Sequence, residues 1–246
     1  MGVKLLKSKL RIKARGGFRQ NNLADDKSLQ TTRARGFLQL YYRPSRSWLY
    51  NATYSNYQTE QSLQDITNRD SLRTTIVSNN VNGSVQNTIV GKKRNQHILR
   101  LSAGILTSAD RNESRETKNY SAGLQYQLIT ASNKWQCQAA VDYLGFEQVQ
   151  PINHRYGNRL ELLRNLKQGK WRVGVYSHQI WAYRGSAQTS TSVVPGLHAA
   201  YRPSIAHSLS LRVSYSIQSF NSATATDFQE LQATVKYSYR FGVKKG

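Results

Sequence analysis

The chain has 246 residues, with 35 Lys or Arg against 13 Asp or Glu, a net charge of +22. Hydrophobic residues make up only 38%, and Tyr outnumbers Phe and Met together, a composition poorly suited to a dense soluble core. No stretch approaches the ~20 consecutive apolar residues of a membrane-spanning helix, so any crossing of a bilayer has to be made by a closed barrel.

The cation excess implies an anionic partner: nucleic acid, lipid head groups or an acidic solute. The single cysteine, Cys137, excludes an internal disulfide and a cysteine-based metal site. In the opening segment, Lys4, Lys7, Lys9, Arg11 and Lys13 interrupt the apolar run that a secretory signal needs. The expectation is a mature chain, a wrongly placed start, or the C-terminal part of a longer gene product.

From there the dominant period is two. Leu10, Ile12 and Ala14 start a first strand. Leu38, Leu40 and Tyr42 alternate with Gln39 and Tyr41. Trp48, Tyr50, Ala52 and Tyr54 alternate with Asn51, Thr53 and Ser55. Val81, Gly83, Val85 and Ile89 oppose Asn80, Asn82, Ser84, Gln86 and Thr88, and Leu99, Leu101, Ala103 and Ile105 oppose Arg100, Ser102 and Gly104. Tyr120 to Leu128 and Trp135 to Tyr143 follow the same rule, then a weaker segment over 160–166, Trp171 to Val175, and another weak one over 193–201. The pattern is cleanest at the end: Leu209, Leu211, Val213, Tyr215 and Ile217, then Leu231, Ala233, Val235, Tyr237, Tyr239 and Phe241, each alternating with polar residues.

About twelve strands of roughly ten residues result, the length of a tilted strand crossing a bilayer. Short polar connections at 43–47, 91–95, 131–134, 167–170 and 202–208 alternate with long ones at 18–32, 58–72, 109–118, 147–158, 183–192 and 220–228. No composition break divides the chain, so residues 1–246 are expected to be one domain. A Tyr-Arg-Pro-Ser sequence occurs at two short turns, 42–45 and 201–204. Ala and Gly recur among the apolar positions, which a lipid-facing surface tolerates and a sandwich core about 10 Å thick does not favour. Trp48, Tyr50, Trp135, Trp171, Tyr42, Tyr201, Tyr239 and Phe241 collect at strand ends, as interfacial girdles do.

These features resemble Gram-negative outer-membrane β-barrel proteins. The resemblance is one of pattern over nearly the whole chain. It implies an all-β, antiparallel up-and-down transmembrane β-barrel in the outer membrane, with short periplasmic turns and long external loops. The closing Tyr237, Tyr239 and Phe241 look like the aromatic last strand that barrel-assembly machinery reads, although Gly242 to Gly246 follow the Phe. Outer-membrane lipid, lipopolysaccharide and that machinery are the implied partners. An even strand count places both chain ends on the periplasmic side.

Lipolytic barrels use Ser, His and Asn near the outer rim. His178 beside Ser177, and His198 near Ser190 and Ser192, match no nucleophile spacing. Asp25, Asp26, Glu60, Asp65 and Asp70 fall in long connections as solvated charges, without the ligand density of a Ca²⁺ site. No enzymatic activity, metal or cofactor is expected.

The basic residues carry the functional signal. Strand parity turns Lys9, Arg11, Lys13, Arg33, Arg35, Arg100, Arg172, Arg212, Lys236 and Arg240 away from lipid, where a charge costs ~2–4 kcal/mol at the midplane. Few acids face the same way: Asp142, Glu161 and Glu230. A basic lumen favours small anionic solutes. The alternatives are a closed structural or anchoring barrel, and a soluble basic β-protein that binds nucleic acid. The last would need cations gathered on one face among exposed aromatics. Here they are spread over most strands, so nucleic acid is not expected.

Overall fold

The computed structural model describes residues 2–22, 29–64, 71–110, 115–148, 151–204, 206–222 and 225–240. They form an all-β antiparallel sheet of thirteen strands in up-and-down order, each hydrogen-bonded to its neighbours in sequence. The strands are β1 (Gly2–Leu5), β2 (Leu10–Asn22), β3 (Leu29–Tyr42), β4 (Trp48–Gln64), β5 (Ser71–Val90), β6 (Gln96–Asp110), β7 (Arg115–Ile129), β8 (Trp135–Glu147), β9 (Asn153–Leu166), β10 (Trp171–Arg184), β11 (Ala187–Tyr201), β12 (His207–Phe220) and β13 (Phe228–Tyr239). A single 3-10 turn, Lys167–Gly169, joins β9 to β10.

Four of the five expected short turns, and the near end of the fifth, fall where the polar clusters put them. Two expectations change. The first strand is preceded by β1, paired through Val3 with Ile12 and Leu5 with Leu10. Lysines masked it: Lys4 pairs beside Arg11 on the polar face, while Lys7 and Lys9 belong to the turn at 6–9, so Lys9 is not a strand residue. The described strands number thirteen, an odd count where the alternation predicts about twelve.

The long connections are also largely strand. Val77 to Gln58 and Thr75 to Glu60 continue the β4–β5 ladder, and β10 and β11 close through a two-residue turn with Gly185 at φ 60°. Gly is suited to that first central position of a tight hairpin. Polar residues dominate both faces of 58–64 and 187–192, so the period-two contrast that marks a strand is missing there. Asp25, Asp26, Asp65 and Asp70 lie outside the described residues.

Contacts gather the chain into two compact units. One comprises Met1–Asn87, Leu101–Ala122 and Leu144–Ile152; the other comprises Thr88–Arg100, Gly123–Tyr143 and Asn153–Gly246. In the second unit the apolar rows line up across strands. Trp171, Tyr201, Leu209 and Tyr237 form one row; Val173, Ala199, Leu211 and Val235 the next; Val175, Leu197, Val213 and Ala233 a third. This face is open: Leu197 exposes 57% of its surface, Leu231 and Val235 68% each. The buried hydrophobic residues among those described are Leu163 and Tyr176 alone, both on the opposite, polar face. In a water-soluble protein this is the wrong way round.

On the polar face of the second unit, side chains bridge over an intervening strand. Arg212 on β12 donates from Nε to the Tyr176 hydroxyl on β10 at 2.8 Å, crossing β11. It crosses where β11 has Gly196, because a Cβ there would strike the Tyr176 ring. An aromatic ring laid over a glycine keeps the strand packed despite the missing side chain. Pro195, which has no N–H to donate, sits in the one gap of the β11–β12 ladder.

Candidate functional site: a basic polar face

In the first unit, β2 and β3 set Arg11 opposite Tyr41, Lys13 opposite Gln39, Arg15 opposite Phe37 and Arg19 opposite Arg33. Arg35 pairs with Tyr57 on β4. The expected residues Arg11, Lys13, Arg33 and Arg35 therefore share one face of adjacent strands. Tyrosines partly accommodate them: Arg11 lies 5.9 Å from the Tyr41 ring centre and Arg35 5.3 Å from that of Tyr57. Arg33 is half-buried, and its Nε has no hydrogen-bond partner.

In the second unit, Arg172 and Lys236 line a depression of 960 Å³ at the turn edge. Seven basic residues surround it: Lys134, Arg164, Lys167, Lys170, Arg172, Arg202 and Lys236; no carboxylate is among its lining residues. Arg172 donates from Nη2 to Gln136 Oε1 at 2.7 Å, across β9, and its Nε is buried without a partner. A smaller pocket of 180 Å³ adjoins it, shared by Arg172, His198, Gln136, Gln138, Gln127 and Glu161. Arg212 lies one row deeper, its guanidinium 4.6 Å from the Tyr176 ring centre.

Arg100, on β6, is not among the residues that line these pockets. Arg240 follows β13, its backbone N–H donating to Ala206 O at 2.9 Å. Tyr237 and Tyr239 project from the apolar face of β13, where Tyr237 OH is 2.7 Å from His207 Nδ1. Phe241 lies outside the described residues.

Sequence reasoning passed over Arg15, Arg19, Arg155 and Arg159. The last two share the polar parity of β9 with Gly157, Glu161 and Leu163. Their strand was a weak one because Leu160, Glu161, Leu162, Leu163 and Arg164 break the alternation. A better signal was available in the turns. Residues 6–9, 43–47, 91–95, 130–134, 167–170 and 202–206 hold Lys7, Lys9, Arg43, Arg46, Lys92, Lys93, Arg94, Lys134, Lys167, Lys170 and Arg202, and no acid.

Aromatic pairs mark both ends of β10. Trp171 stacks on Tyr201 at 4.3 Å near the turns, and Tyr183 meets Tyr156 edge-on at 5.7 Å near the opposite end. The strand between them is about 40 Å long at ~3.3 Å per residue. Tilted by the ~40° usual in a barrel, it spans roughly 30 Å, close to the ~25 Å apolar band of outer-membrane barrels.

No protein-family model matches the chain, and no curated protein does. Among solved structures, it is similar to the β domain of the Bordetella autotransporter Brka, at 12% identity and a TM-score of 0.32, over 94% of this chain and 97% of that one.

Proposed function

We propose that this chain is an integral outer-membrane β-barrel whose polar face lines a passage for small anions. The acid-free depression around Arg172 and Lys236 carries the reading. Seven cations surround it and no carboxylate lines it, so a carboxylate or phosphate that enters meets unopposed positive charge. Arg212, Arg11, Lys13, Arg33, Arg35, Arg100 and Arg240 are the further cations of the proposed anion path. The open apolar rows face lipid, with Tyr237, Tyr239 and Phe241 read by the assembly machinery. No catalytic step is proposed.

A second reading is a closed structural or anchoring barrel. It is favoured by the Arg212–Tyr176 bridge, which ties down one of the proposed path's cations against the sheet. Single-channel recording in a salt gradient separates the two. The passage requires conductance with anion over cation selectivity, lowered in Arg172→Gln/Lys236→Gln. Cation selectivity overturns the anion path, and no conductance in correctly folded protein leaves the structural barrel.

A further inference from the structure

Two cavities meet at the turn edge of the second unit. One is the acid-free depression already described. The other is a groove of 420 Å³ on the apolar face, lined by Val173, Val175, Leu197, Ala199, Leu211 and Val213 among others. Trp135, Arg164 and His198 line both.

Arg164 is the residue out of place. It projects from the apolar face of β9 between Leu162 and Leu166, opposite Val173, and it is exposed. Its guanidinium lies 4.8 Å from the Trp135 ring centre. A cation on a lipid-facing surface is costly at the midplane and nearly free of cost near the interface. Arg164 is one pair inward from the row of Trp171 and Tyr201, so it sits at the interface, where the charge is tolerated and can meet a lipid head group. Lys134 and Lys170 share the depression with it. Below it, Ala199 leaves a trough between Val173 and Leu211, its neighbours across the ladders.

We infer that this junction binds one anionic phospholipid from the leaflet at the turn edge. Arg164, with Lys134 and Lys170, holds the phosphate, and one acyl chain lies in the groove over Ala199. The cations explain the head group and the groove explains the tail; a free anion would need only the first, an apolar partner only the second. The inference rests on the membrane-barrel reading above.

The test uses the full chain reconstituted in phosphatidylcholine vesicles that contain an equal small fraction of bromine-labelled phosphatidylglycerol or bromine-labelled phosphatidylcholine. Trp135 is the reporter, its share of the fluorescence set by a Trp135→Phe variant. Phosphatidylglycerol should quench it more strongly, at an occupancy roughly fivefold higher per cation engaged. Arg164→Gln should remove that preference, and Ala199→Phe, which fills the groove, should weaken quenching by both lipids. Equal quenching by the two lipids in the wild type overturns the site. So does a preference that survives Arg164→Gln, which would assign it to the basic edge at large. Flotation of the same vesicles separates the two readings: protein that floats without preference loses this site and keeps the barrel, whereas protein that never floats loses both.

Discussion

On β12, Arg212 and Val213 are neighbours in sequence and opposites in surroundings. Val213 lies in an apolar row between Leu197 and Ala233, on a face open to the outside. Arg212 bridges to Tyr176 across a glycine. Val213 has only apolar neighbours in its row, whereas Arg212 has a specific partner and needs a glycine in the strand it crosses.

The sharpest way to break this contrast is Val213→Arg, expected to cost ~2–4 kcal/mol of stability in a bilayer. Arg212→Val, which gives up one charged hydrogen bond, should cost about 1–2 kcal/mol. Urea titration of vesicle-folded protein, followed by heat-modifiable gel mobility, reads both; equal or reversed losses would reject the assignment of the faces. Next in size is Gly196→Val. Its new side chain displaces the Tyr176 ring, and overpacking of this kind costs about 1–3 kcal/mol. Gly83→Val should be close to neutral in the same titration, since nothing lies within 4 Å of a Cβ built there. Smaller again is Tyr176→Phe. It keeps the ring over Gly196 and loses only the hydroxyl, for about 1 kcal/mol; a loss as large as that of Gly196→Val would mean that the hydroxyl, not the ring, holds the face.

The last prediction sharpens the contrast between the two edges and leaves stability unchanged. With Cys137→Ala as background, cysteines at Ser186 and Ser132 sit in connections at opposite edges. A membrane-impermeant thiol reagent added to intact cells should label position 186 and spare 132. The reverse pattern would place the turns outside.

Much of this was legible in the sequence, because a strand with an apolar face and a polar face writes the difference into every second residue. Leu209 to Ile217 needed no further information. Where both faces are polar, as in 58–64 and 187–192, the code is silent and the strands read as loops. The cross-strand fits were illegible for another reason. Gly196 and Tyr176 meet only because the β10–β11 register puts them opposite each other, and register depends on turn geometry as well as on alternation. Arg164 shows a third limit: in sequence it breaks the alternation and weakens its strand, whereas in the fold it lies over the Trp135 ring where two cavities meet.

The neighbour-to-neighbour strand order also has a kinetic meaning. In the β4–β5 ladder the tightest pair joins Gln64 to Ser71, and even the widest joins only Trp48 to Asn87. Loop-closure entropy grows slowly with loop length, and local contacts speed folding. Each hairpin can zip from its own connection outward and dock on the one before it, which leaves the closing of the proposed barrel, β1 against β13, as the one distant pairing. A chain built this way can be assembled in instalments, two strands at a time.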